Sequence, residues 1–181
     1  MTRSRAAGAL FILTFLLGFI GIILFIGREN TGWFDEYDLE RAFILGSWLV
    51  AAAAAVLLAG VRDRVRRPTP LVVGIALFAV GALGAAIAEV SLLFPEFRLT
   101  SLWGVGFASL LFVGEALIGA GLLDGGLVPT WVAWTVTVWN VFWLVTLVII
   151  SRDDMYYPGL HYIPLLLIGV PLTRHSQPSV R

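Results

Sequence analysis

Two carboxylic acids interrupt long apolar runs, Glu89 in "ALGAAIAEVSLLF" and Glu115 in "LLFVGEALIGAG". A charge placed within a bilayer costs about 2.5 to 3.5 kcal/mol even on permissive insertion scales, so an intramembrane acid is a candidate for ligand or proton chemistry. Four further groups share apolar surroundings with them: Asn140, His161 and the flanking phenols Tyr157 and Tyr162. Placed by depth along alternating helices, Glu89, His161 and Tyr157 fall toward one membrane surface, with Glu115 and Asn140 deeper. The sharp reading is a polar pocket open to the outer side, with Glu115 and Asn140 at its floor. The plain reading makes each acid a hydrogen-bonded packing element between helices. Trp139 and Trp143 either wall such a pocket or fill space.

Other chemistry is excluded by what the chain lacks. There is no cysteine, which removes disulfides, thiolate catalysis and iron–sulfur clusters. All twelve basic residues are arginine, so no amine exists to carry a Schiff base. One intramembrane histidine cannot supply paired haem ligands, and two histidines in all, one in the tail, do not make a metal-dependent hydrolase. Ser109 and His161 superficially match a serine nucleophile and base. The serine nevertheless sits in "GFASLLF", without the Gly-x-Ser-Gly pattern of rhomboid proteases. The expectation is a non-enzymatic protein with no metal or cofactor.

The elements that must position these residues follow from hydropathy. Hydrophobic residues make up 59% of the 181, with a mean hydropathy of +0.93. A hydrocarbon core about 30 Å thick needs roughly 20 apolar residues per helix. Six such runs, about 6–27, 42–61, 70–94, 101–123, 128–150 and 156–172, predict an all-α polytopic membrane bundle in one domain. Arg3 and Arg5 precede the first run, which at 22 residues is too long for a signal-peptide core and is expected to be a retained helix.

Charge orders the loops. The N-terminus, the 62–69 loop, the Asp124 turn and the C-tail hold eight arginines against two acids, and the opposite loops hold four arginines against eight acids. Positive loops stay in the cytoplasm, which predicts both termini inside and the acidic loops outside. Arg62, Arg64, Arg66 and Arg67 serve as this topology signal, or bind anionic lipid head groups. Without a basic surface elsewhere, nucleic acid is not an expected partner. A lysine-free chain rich in Ala and Gly points to a GC-rich prokaryotic genome and its inner membrane.

Small residues recur at helical spacing in helices three (Gly74, Gly81, Gly84, Ala85, Ala88) and four (Gly114, Ala116, Gly119, Ala120), predicting a close crossing. Helix six carries Pro158, Pro164 and Pro171, and Pro164 removes a mid-helix donor and predicts a kink.

The segment "GEALIGAGLLDGGLVPTWVAW" (114–134), with its Gly126, Pro129, Trp131 turn, resembles small, uncharacterised six-helix prokaryotic membrane proteins in domain-of-unknown-function families. That resemblance implies a six-helix fold and carries no activity or functional residue. The functions expected are binding of a lipid, quinone or isoprenoid from the outer leaflet, an accessory subunit in a larger membrane complex, or proton-coupled transport.

Overall fold

The structure, a computed structural model, describes residues 2–31, 36–94, 101–150 and 158–174. Six helices account for nearly all of them: α1 (Arg3–Ile26), α2 (Tyr37–Leu58), α3 (Pro68–Leu93), α4 (Ser101–Leu122), α5 (Thr130–Ile150) and α6 (Pro158–Arg174). The first five are long and apolar enough to cross a membrane. With 17 residues, α6 is shorter, spanning about 26 Å at 1.5 Å per residue.

Local signals set the helix ends. Thr2 caps α1 by accepting from the Arg5 amide at 3.4 Å. The last turn of α1 loosens into a π-turn over Gly27–Thr31, and α2 tightens into a 3-10 turn over Ala59–Arg64. Pro68 opens α3, where its missing amide hydrogen leaves no bond unmade. Gly126, with φ of 61°, takes the left-handed conformation that lets the chain turn sharply into α5.

Each helix packs on its sequence neighbours, and α6 returns to α1, so the six form a closed ring. In lipid there is no hydrophobic gain from bringing helices together, so association depends on how closely backbones fit. Glycines make three of these seams. A Cβ at Gly114 would lie 2.5 Å from the Phe78 amide nitrogen, and one at Gly74 would lie 2.7 Å from that of Ile118. The small-residue stripes of α3 and α4 thus meet, and this is the most extensive helix pair. Gly8 of α1 and Gly169 of α6 approach each other's carbonyls in the same way, at 2.7 and 2.9 Å from a built Cβ. Gly119 of α4 receives α5 at the Ala133 carbonyl.

The α5–α6 seam lacks both this device and the buried alanines that α2 (Ala51, Ala52, Ala54, Ala55) and α3 (Ala82, Ala85, Ala86) carry. No glycine occurs in α5, which instead carries four tryptophans, and the one deeply packed glycine of α6 is committed to α1. Contact between α5 and α6 is accordingly the thinnest of the ring.

Apolar side chains fill the ring toward its arginine-rich end. Phe11 and Phe78 meet edge to face with centroids 6.4 Å apart, and Leu58, Leu71, Ile118, Leu122, Leu165 and Ile168 are fully buried around them. Exposed Val, Ile, Leu and Phe on the outward faces, such as Val56, Val80 and Ile149, present the apolar exterior that lipid contact requires.

Gly114→Ala is expected to lower the melting temperature in detergent, by an overpacking cost of about 1 to 3 kcal/mol. Gly104→Ala, where nothing lies within 4 Å of the added methyl group, is expected to leave it unchanged or slightly raised. Equal melting temperatures for wild type and Gly114→Ala would contradict the close-approach account of this seam.

Candidate functional site

Three polar arrangements stand at different depths. At the acidic end the π-turn after α1 brings Arg28 to the wholly buried Glu40 of α2, with Nε 2.8 Å from Oε2. Arg41 bridges two acids, 3.1 Å from Glu40 and 3.2 Å from Glu89 of α3. Tyr37 accepts both guanidinium groups on its ring, at 5.1 and 5.0 Å. Three helices are tied here by charges that neutralise one another, which is how buried charges are tolerated.

Glu89 is therefore engaged with Arg41, and the structure does not bring it to His161. The first turn of α6 sits deeper than its distance from the chain's apolar boundary implies. His161 lies level with Glu115, its Nδ1 3.4 Å from Oε1, and both side chains are fully buried. Asn140 of α5 adjoins the same carboxylate, while its own amide donates to the Val136 carbonyl at 2.8 Å. Phe112 covers the imidazole with centroids 4.0 Å apart, and Trp48 meets it edge-on at 6.0 Å. Tyr162 points the other way. Because the Ser47 hydroxyl donates to the Ile44 carbonyl, the phenol of Tyr162 donates to Ser47, at 2.5 Å. Tyr157 lies outside the described residues.

The expected outer pocket is thus two separate clusters, one of ion pairs and one of His161, Glu115 and Asn140 packed among aromatic rings. The deeper cluster leaves no space for a ring-sized ligand, since its three polar side chains are solvent-inaccessible. Sequence reasoning missed Glu40 and Arg41, which read as loop residues. The available signal was Glu89 itself, because a buried carboxylate beside the acidic end needs a cation, and Arg41 opens the adjacent helix. Ser109, considered as a nucleophile, spends its hydroxyl on the Val105 carbonyl of its own helix at 2.8 Å.

Helix α6 continues through Pro164 and Pro171. Pro164 has no amide hydrogen for the Leu160 carbonyl, and the indole of Trp139 supplies the missing donor at 2.8 Å. This bond pins α5 to α6 in the acidic half of the bundle. Trp143 packs edge-on to Trp139 at 6.0 Å.

Beyond that pin the two helices leave a cleft. It is an open groove of about 690 Å³ at the arginine-rich end, walled by Leu127, Val132, Leu166, Leu167, Val170 and Pro171, with Trp131 and Arg174 at its rim. This is within the size range of ligand sites, and its apolar walls with one charged group fit that pattern. Arg62 and Arg67, on the same end, form exposed ion pairs with Asp63 at 3.5 Å and Asp124 at 3.9 Å. Arg64 and Arg66 make none among the described residues. No group of His, Asp or Glu among the described residues is arranged to hold a metal ion.

No protein-family model, curated protein or solved structure matches this chain.

Trp139→Phe is expected to destabilise by about 1 to 3 kcal/mol, because it strips the donor from a part-buried carbonyl that Pro164 cannot serve; thermal unfolding in detergent checks it, and an unchanged midpoint would contradict the pin. His161→Phe alone is expected to lower stability by stranding Glu115. Glu115→Met combined with His161→Phe is expected to restore or exceed the wild-type midpoint, as apolar replacement of a whole buried polar pair does elsewhere. A double variant no more stable than the single would contradict that pairing.

Proposed function

We propose that this protein binds a lipophilic or amphipathic small molecule within the membrane, as a non-enzymatic six-helix protein of a prokaryotic inner membrane. The observation that carries this reading is the cleft between α5 and α6, of ligand size, walled by apolar side chains and with its one charged side chain at the rim. Its place at the arginine-rich end differs from the outer-leaflet site that residue depth alone favours. With the arginine-rich loops in the cytoplasm, the cleft faces the inner leaflet. The resemblance over residues 114–134 adds a fold and no chemistry, so the reading rests on geometry.

Proton-coupled transport is less well supported. Glu89, Glu115, Asn140 and His161 all lie in the acidic half or near the middle, and below them Phe11, Phe78, Ile118 and Leu165 close the interior. Among the described residues a translocated solute would meet there only the buried hydroxyls of Ser4 and Thr14 and no charge, whereas intramembrane charges in transporters line a continuous pathway. An accessory subunit would need a face shaped for a partner, and the exposed apolar residues are spread over α1, α2, α3, α5 and α6, with none on α4 among the described residues, rather than forming one patch.

Native mass spectrometry of the protein extracted in mild detergent tests the reading against Leu167→Trp, which fills the cleft. Wild type is expected to retain one bound small molecule that the variant loses at unchanged melting temperature. The same scatter of adducts on both proteins would contradict it.

A further inference from the structure

The cleft's chemistry narrows its occupant. Arg174, in the last turn of α6, is the one charged residue on the wall, and it makes no ion pair among the described residues. No carboxylate lines the cleft, so an ammonium head group would find no partner. Opposite Arg174 stands the start of α5. The Pro129 carbonyl accepts from the amides of Val132 and Ala133, at 2.9 and 3.2 Å. The amides of Thr130 and Trp131, ahead of these, belong to the first turn and have no acceptor within the helix. Pro129, Trp131 and Val132 all line the cleft, so the positive end of the α5 dipole faces the same space as the Arg174 charge. A cation on one wall and a helix N-terminus on the other favour an anion between them.

A second polar feature lies deeper. Pro171 cannot donate to the Leu167 carbonyl four residues earlier, and both residues line the cleft. At Pro164 the corresponding carbonyl is taken by Trp139. The side chains along this wall, Leu166, Leu167, Val170 and Val132, match a hydrocarbon chain. The exposed face of Trp131, 63% accessible, places this rim at the level of the membrane interface.

We infer that the cleft takes one anionic phospholipid from the arginine-bearing leaflet, its phosphate between Arg174 and the start of α5 and an acyl chain along Leu166, Leu167 and Val170. This rests on the cleft being a binding site at all, and it adds the head-group charge. Arg64 and Arg66 draw anionic lipid to this surface in general. They do not line the cleft and so do not select its occupant.

The test is native mass spectrometry from nanodiscs of equal phosphatidylglycerol and phosphatidylcholine, comparing wild type with Arg174→Gln, Arg66→Gln, Val170→Trp and Leu167→Trp. Wild type is expected to carry one lipid, with phosphatidylglycerol preferred. Arg174→Gln is expected to keep one lipid while its preference falls about fivefold, the effect of removing roughly 1 kcal/mol per arginine at a membrane surface. Arg66→Gln is expected to match wild type. Either cleft-filling variant, folded by its melting temperature, is expected to lose the lipid.

Loss of lipid in the tryptophan variants with an undiminished preference in Arg174→Gln would overturn the head-group assignment and leave the cleft as a site. Lipid retained in both tryptophan variants would overturn the site and this inference together. A lipid-free dimer abolished by Val170→Trp would give the cleft to a second copy of the chain and overturn the proposal.

Discussion

Close approach of backbones is the constraint on which this bundle depends. Lipid is as apolar as the helices it surrounds, so a seam forms where small residues let two backbones touch. Gly74 and Gly114 close α3 on α4, Gly8 and Gly169 close α6 on α1, and Gly119 seats α5 on α4. The α5–α6 seam has no such residue, and bulky aromatics occupy the facing surfaces. It is held by one hydrogen bond from Trp139 to the carbonyl that Pro164 leaves without a donor, together with the apolar cluster that joins Leu160 to Trp143, Leu144 and Leu147. The seam opens beyond that bond, and its opening is the cleft. A proline that would weaken an isolated helix here creates the acceptor that docks its neighbour.

Polar groups follow a second rule, that charge removed from water must be matched. Arg28, Glu40, Arg41 and Glu89 match one another and join α1, α2 and α3 at the acidic end. His161 and Glu115 face each other between α4 and α6, with Asn140 completing the group from α5. These contacts fix which helix faces meet, a role that buried polar groups fill elsewhere at some expense in stability. Both clusters lie inside the ring, the deeper one with Glu115, His161 and the Asn140 side-chain oxygen in contact but without well-formed hydrogen bonds between them. The accessible charge is left to the edge, where Arg174 and the start of α5 frame the cleft.

Much of this architecture is legible in the sequence. Six apolar runs predict six helices, and the glycine spacing in 74–84 and 114–119 predicts the α3–α4 crossing. Depth counting recognises Glu115 and Asn140 as neighbours in height. It fails for His161, because α6 begins low in the bundle and its first turn lies beside Glu115 rather than Glu89. It also leaves Glu40 and Arg41 in a loop, since two adjacent opposite charges read as solvent-exposed until Glu89 shows why a cation is needed there. Rotation about each helix axis, which decides whether Trp139 meets Leu160 or lipid, is not encoded in hydropathy at all. The cleft was readable only as a lack: a helix of four tryptophans and no glycine cannot pack closely on a neighbour whose glycine is already engaged.

A photoreactive amino acid placed at Val170 tests the central claim most directly, with one at Ile149, 78% exposed on the outer face of α5, as the reference for bulk lipid. After illumination in native membranes, the account predicts a single anionic lipid class attached at Val170, and a mixture matching the membrane at Ile149. The same mixture at both positions, or attachment at Val170 to protein alone, would contradict it.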